Sequence, residues 1–264
     1  MANAQAVLKS GNRTTGGPPV KTYLIVPDIH VPYHCPKAIK LITKIIKELN
    51  PDGLVQLGDA IDAFQISTYS KDPARRNTLK EDIDDFKLIL NEWARHLKSG
   101  ANIHILQGNH ESRLSRYIAS NCRDLHGLVP DWPTLLGIKE RNAIGRHRWH
   151  WHPYMKWDSC RIGDVILHHG FYFNQHAPAT ALQKYKCSII FGHTHRLGMV
   201  TDGTHYAAML GHVSNESETA HNPSPTHWTQ AVGVLYVETS GRTRIDILPL
   251  KSEKVILHGK VLSI

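Results

Sequence analysis

The sequence predicts an α/β protein in which a sheet with crossover helices carries a second sheet packed against it. Two observations lead there. Between Lys21 and about residue 121, short apolar runs alternate with segments whose apolar residues recur at helical spacing. Beyond residue 146 the runs are almost all strand-like. With 264 residues, 41% hydrophobic and 20% charged, the chain can bury a sizeable core, and 21–264 is expected to form a single domain.

Residues 1–20, polar and rich in Gly, Thr and Pro, read as a flexible tail. "TYLIVPD" is β-branched and aromatic up to Pro27 and suits a buried strand, and "PKAIKLITKIIKELN" (36–50) has helical periodicity. "DGLVQLGD" repeats the strand signal. "TLKEDIDDFKLILNEWARHLKSG" is a long amphipathic helix closed by a Gly stop, "ANIHILQGNH" a third strand and "ESRLSRYIASN" a further helix. The stretch around Trp132 and Pro133 has no readable period. "RHRWHWHPYMKWDSCRIGDVILHHG" predicts a β hairpin turning at Gly163 and Asp164. "ATALQKYK" is helical and "CSIIFGHTH" is a strand and loop. "GMVTDGTHYAAML" is a hairpin turning at Asp202 and Gly203, and "AVGVLYVETSGRTRIDILPL" holds two more strands. These later strands are expected to form the second sheet.

Composition narrows the function classes. No apolar run approaches the roughly 20 residues of a membrane span, and the N-terminus lacks a signal-peptide pattern, so a cytoplasmic protein without a membrane partner is expected. The four cysteines, Cys35, Cys122, Cys160 and Cys187, form no CxxC pair and read as reduced, packed thiols. A formal charge of +8 favours an anionic partner. The oligomeric state stays open.

The chemistry lies where the strands end. "PDIH" supplies Asp28 and His30, "GDAID" supplies Asp59 and Asp62, and "GNHE" supplies Asn109, His110 and Glu111; "HHG" supplies His168 and His169, and "GHTH" supplies His193 and His195. Singly, each reads as an ordinary turn. Together they place carboxylates, an amide oxygen and imidazoles after five apolar runs, where ligands bind in open α/β sheets. Imidazole and oxygen donors without thiolate suit Mn, Fe, Zn, Ni or Co. About seven donors oversupply one ion, whereas two ions roughly 3.5–4 Å apart with a shared carboxylate use them all.

D-x-H, G-D-x-x-D, G-N-H-E, H-G and G-H-T-H, in this order over residues 28–195, resemble the calcineurin-like metallophosphoesterase superfamily. The resemblance implies an α/β four-layer αββα sandwich, two mixed β-sheets flanked by helices. It also implies two divalent transition-metal ions, manganese first, with Fe, Zn, Ni or Co as alternatives. Asp28, His30 and His195 would hold one ion, Asn109, His169 and His193 the other, and Asp59 would bridge them. His169 is taken over His168 because the superfamily ligand directly precedes Gly. His110 would contact the substrate phosphate and protonate or stabilise the leaving oxygen, with Asp62 orienting its imidazole. The physical logic agrees: two cations make hydroxide available at neutral pH and clamp the phosphoryl oxygens, and a His held by a carboxylate serves as general acid.

The expected activity is metal-dependent phosphoester hydrolysis, by a phosphatase or phosphodiesterase acting on small or nucleotide-like substrates. A metallo-nuclease acting on DNA or RNA is the alternative, favoured by the basic charge; a non-catalytic scaffold on the same fold is opposed by the intact His110. Ala63 stands where the protein serine/threonine phosphatases of the superfamily carry a phosphate-binding Arg, which disfavours that branch. Arg113 is the best replacement cation, so Asn109, His110 and Arg113 are the expected phosphate-binding residues. The insert after Asp62, with "GNHESRLSRYI" and "GHTHRLG", is similar to metallophosphoesterases of phages and prophages, which would place the protein in a host cytoplasm. Lys71, Arg75 and Arg76, and the segment "KERNAIGRHRWHWH", offer either a basic lip over the site or solvated surface. Residues 205–228 offer a cap or a long surface loop.

Overall fold

The computed structural model describes residues 19–174, 176–219 and 226–264. The tail expected over residues 1–20 lies, up to residue 18, outside the described residues, as do residues 220–225 of the 205–228 segment. Among the described residues no helix is long and apolar enough to cross a membrane.

The first half follows the alternation of its sequence. β1 (Lys21–Val26) leads to α1 (Pro36–Leu49), β2 (Gly53–Gln56), α2 (Leu79–His96), β3 (Asn102–Leu106) and α3 (Ser112–Asn121). Helix α1 starts with Pro36, where a missing N–H costs nothing, buries Ala38, Leu41, Ile42, Ile45 and Ile46, and stops at Asn50 in the left-handed conformation. Helix α2 opens with a capping box between Thr78 and Glu81. It ends at His96, four residues before the glycine expected to stop it. The unreadable stretch around Trp132 holds two short helices, α4 (Trp132–Leu135) and α5 (Ile138–Ile144).

β4 (Arg148–His152), β5 (Cys160–Ile162), β6 (Val165–His168), α6 (Ala177–Tyr185), β7 (Ser188–Phe191), β8 (Gly198–Thr201), β9 (Tyr206–Met209) and α7 (Glu216–Thr219) follow. The chain then continues through β10 (Ala231–Val237), β11 (Thr243–Pro249), β12 (Lys254–Leu257) and β13 (Lys260–Ser263). The hairpins expected at Gly163 and at Asp202–Gly203 are present as β5–β6 and β8–β9.

The strands form two mixed sheets and a ribbon. One sheet has the order β11-β10-β1-β2-β3-β4, the other β5-β6-β7-β9-β8, and β12-β13 stand apart. Two expectations change here. β4 does not join the β5–β6 hairpin but runs parallel to β3, and β10 and β11 extend the first sheet through an antiparallel pairing of β10 with β1. The second sheet therefore holds only the strands from Cys160 to Met209.

Side-chain alternation sorts the layers. Leu24 and Val26 of β1 face α1 and α2, whereas Tyr23 and Ile25 face the second sheet, where they meet Val165, Leu167 and Ile190. The outer face of the second sheet packs Ile189, Phe191, Ala207 and Met209 against Ala177 and Ala181 of α6. The result is the expected arrangement of two mixed sheets with helices outside. β1, β2 and β3 are parallel, as are β6, β7 and β9, and the carboxyl ends of both sets come together.

Candidate metal centre

Every strand end picked out by sequence reaches one buried place. Asp28 and His30 follow β1, Asp59 and Asp62 follow β2, and Asn109 and His110 follow β3; His169 follows β6, and His193 and His195 follow β7. Three groups of three donors form there, Asp28, His30 and His195 in one, Asp59, His169 and His193 in another, and His30, Asp62 and His110 in a third that shares His30 with the first, with ligand atoms in each group within 4.8 Å of one another.

In the first group His195 Nε2 is 3.4 Å from Asp28 Oδ1 and 3.1 Å from His30 Nε2. In the second, His169 Nε2 is 3.1 Å from Asp59 Oδ2, 3.2 Å from His193 Nδ1 and 2.9 Å from the Asn109 amide oxygen. Asp59 Oδ2 also lies 3.9 Å from His30 Nε2, which puts this carboxylate between the groups.

Backbone conformation makes the convergence possible. Asp28, His30, Asp59, His193 and His195 all have positive φ, between 37° and 71°. Each such residue costs on the order of 1–3 kcal/mol and persists where its surroundings over-determine it. Buried Glu111 supplies part of that determination by accepting from the N–H groups of Asp59, Ile61 and Gly108 at 3.1, 2.9 and 2.7 Å. The Asp28 carboxylate accepts from His193 N at 3.0 Å, and that of Asp59 accepts from His110 N at 2.9 Å.

The donor chemistry fits cations. His169 directs Nδ1 at the Leu57 carbonyl, 3.1 Å away, which leaves the Nε2 lone pair facing Asp59, Asn109 and His193. His30 directs Nδ1 at Asp62 Oδ2, 3.2 Å away, and so turns Nε2 toward His195. Among the described residues His195 Nδ1 is buried without a hydrogen-bond partner. Burial, with His30 and His169 nearby, holds His195 and His193 far below the usual imidazole range, His193 at about 3, so both are neutral donors. Burial pushes the Asp28 carboxyl up to about 7. Asp59 goes the other way, because His110 and His169 outweigh its burial. Lone pairs and carboxylate oxygens facing one another in a dry site are what positive ions between them would satisfy.

His110 stands at the rim. Its Nδ1 is 2.8 Å from the main-chain carbonyl of Asp62 and 3.4 Å from the carboxylate, so Asp62 holds the imidazole mainly through its backbone and shares its carboxylate with His30. Burial acts to lower the His110 pKa, but Asp59 and Asp62 outweigh it and hold the group above its ordinary value. Arg113 donates to the Asp62 carbonyl at 2.7 Å and to His110 Nε2 at 3.1 Å. The cavity beyond, about 680 Å³, is lined among others by Asn109, Arg113, Arg116, Tyr154, Phe173 and His193.

His168 stays out of the centre, donating to the Tyr154 carbonyl and accepting from Gly170 N. The basic lip does not form from the expected residues. Lys71 caps the carbonyls of Phe64 and Ser67, Arg75 stacks on Tyr33 at 4.1 Å, and Arg141 lies over Trp149. None of Lys71, Arg75, Arg76 or the 139–152 segment lines the cavity. Of residues 205–228, the beginning is β9 and the next turn is buried wall: His212 stacks on His195 with ring centroids 5.0 Å apart, and Trp228 meets the same ring edge-on at 4.2 Å. Sequence reasoning missed Arg116, Tyr154, Phe173, Trp228 and the role of Glu111. It could have found Arg116, which lies three residues beyond Arg113 on the same helical face, and His212, which follows β9 as His193 follows β7.

A family model described as calcineurin-like phosphoesterase matches residues 21–197. No curated protein matches the chain. Solved structures similar to it include Vps29 of Entamoeba histolytica complexed with Zn²⁺, at 15% identity and TM-score 0.46, covering 91% of this chain and 97% of that one. Another is YfcE, a phosphoesterase from E. coli, at 16% identity and TM-score 0.38, covering 92% of this chain and 99% of that one.

Proposed function

The chain belongs to the calcineurin-like phosphoesterase family, and from that premise we propose that it is a dinuclear metal-dependent phosphatase or phosphodiesterase of small or nucleotide-like substrates. The observation that carries the reading is the pair of three-donor groups joined by Asp59, whose Oδ2 lies 3.1 Å from His169 in its own group and 3.9 Å from His30 in the other. Asp28, His30 and His195 would hold one divalent ion, Asn109, His169 and His193 the second, with Asp59 common to both and manganese the first candidate. Such ions, when bound, bring the pKa of water toward neutrality and offset phosphoryl charge.

The chain's own residues do the rest. His110 donates the proton from Nε2 to the leaving oxygen, for which Arg113 Nη2, now 3.1 Å from that nitrogen, swings onto a phosphoryl oxygen. Asp59 and Asp62 raise the His110 pKa above the ordinary imidazole value, which favours the acid form. The Asp62 carbonyl fixes the ring, and Arg116, which donates to the Asn109 carbonyl at 3.0 Å, stands ready for the second anionic oxygen. Exposed Phe173, 5.1 Å from the His193 ring, and Tyr154 give the cavity an aromatic wall for a planar leaving group. The insert after Asp62 supports a place in the phage and prophage branch.

The test is turnover of p-nitrophenyl phosphate, its bis ester, and single-stranded and duplex DNA, each with Mn, Ni, Zn and Mg. We expect turnover of an aryl ester with Mn. His110→Ala should lower kcat by about 10²–10⁴-fold with both ions retained. No turnover of any substrate with any metal would end the hydrolase reading, and DNA cleavage without aryl ester turnover would replace it with the nuclease one.

A further inference from the structure

A second cluster of ligand-type side chains lies away from this centre and shares no residue with it: His104 of β3, His152 of β4 and Cys160 of β5. β4 is the edge of the first sheet and β5 the edge of the second, so the cluster spans the two sheets where both end. All three side chains occupy the inter-sheet layer. Leu106 and Ile162, two residues along from His104 and Cys160, are apolar members of that layer, whereas Trp149 and Trp151 face the helices. Alternation therefore assigns apolar residues to positions 104 and 152, and the chain places imidazoles there.

We propose that His104 Nδ1, His152 Nε2 and Cys160 Sγ form a zinc-type site that clips the two sheet edges together. Three observations carry it. His104 Nδ1 lies 3.0 Å from His152 Nε2 and 3.9 Å from Cys160 Sγ. A tetrahedral ion at zinc distances separates two imidazole nitrogens by about 3.3 Å and a nitrogen from a thiolate by about 3.5 Å, so both distances from His104 Nδ1 fall within about 0.4 Å of these values, with all three ligand atoms within 4.8 Å of one another. His152 directs Nδ1–H at the Ser159 carbonyl, 2.8 Å away, which fixes the tautomer with the Nε2 lone pair facing His104. Cys160 is a free cysteine, fully buried, and the two imidazoles are half-buried.

Charge agrees with the geometry. Burial holds both imidazoles below their ordinary range, His104 at about 3, and pushes the Cys160 thiol up to about 12. The imidazoles are thus already neutral donors, and a cation is the partner that would turn the buried thiol into a thiolate. A thiolate with two imidazoles selects zinc over manganese, which separates this site from an all-nitrogen and oxygen centre. The link between β4 and β5 carries Tyr154, whose hydroxyl donates to the Gly170 carbonyl at 3.0 Å and holds that residue independently of the clip.

Cobalt(II) distinguishes the two centres, because only a cysteine ligand produces a thiolate-to-cobalt charge-transfer band in the near ultraviolet. Titrating the chelator-stripped full chain with Co²⁺ should produce that band, saturating at one thiolate-bound ion per chain. Zn²⁺ should abolish it and Mn²⁺ should not. Cys160→Ser and His152→Gln should each lose the band and one bound ion, with Mn-dependent aryl phosphate turnover within about twofold of the parent. Absence of the band in the parent chain, or its persistence at full strength in either variant, would overturn the proposal. Because the parent titration decides by itself, a variant that fails to fold does not shelter the idea, and loss of hydrolysis alone leaves the band intact.

Discussion

Four glycines, Gly58, Gly108, Gly170 and Gly192, press against residues of the candidate metal centre, two of them against its carboxylates. A β-carbon on Gly192 would collide with Asp28 Oδ2, and one on Gly108 with Asp59 Oδ1 and its backbone nitrogen. Gly192 has no positive φ; the room it leaves for a carboxylate is the reason for it. Overpacking of this kind costs about 1–3 kcal/mol. Gly192→Ala should therefore weaken metal binding by about tenfold or more, measured by competition with a chelating dye; unchanged affinity would show that Asp28 is not held by this contact. At this scale the sequence was informative wherever a ligand type followed a strand within four residues, as in "PDIH" and "GHTH". It was silent about Tyr154, Phe173 and Trp228, because an aromatic residue in a loop carries no local sign of the wall it will join. It also hid the Cys160 cluster, whose members are separated in sequence and meet only across two sheets.

Among the elements, α2 shows how a helix start stores a pH dependence. Asp82, in its first turn, is fully buried; one carboxylate oxygen accepts from Gln65 Nε2 at 2.7 Å and the other has no partner. Burial pushes this carboxyl up to about 6. The folded state then holds its proton more tightly than the unfolded one, so stability is fully present below about pH 4 and is lost as pH rises through 6, by on the order of 2 kcal/mol. The helix dipole returns about 0.3–1 kcal/mol, too little to cancel that. Asp82→Asn should raise the thermal midpoint at pH 8 more than at pH 4; an equal effect at both would dismiss the argument. Element types were largely readable, since period and caps are local, as the Thr78–Glu81 box shows. Sheet membership was not: β4, β10 and β11 carry ordinary strand signals, and only long-range pairing decides which edge each one extends.

For the whole molecule, ions that bind only the folded chain stabilise it by about 2.7 kcal/mol each at a hundredfold excess over Kd. Stripping the metals should lower the thermal midpoint by several degrees, with Mn²⁺ restoring most of it. A midpoint indifferent to chelator would mean that no ion is held by the native state. The pairing of β1 with β10 bears on something different, the order of synthesis. Lys21–Val26 emerges first and acquires its parallel neighbour Gly53–Gln56 early, yet its other edge waits for Ala231–Val237, some two hundred residues later. Until then a nascent chain displays an unpaired, apolar strand edge, the kind of template that invites association with neighbouring chains. β10 and β11, late in the chain, close the sheet that β1 begins, so early termination or slow elongation before residue 231 should end in aggregation rather than in a shortened folded protein.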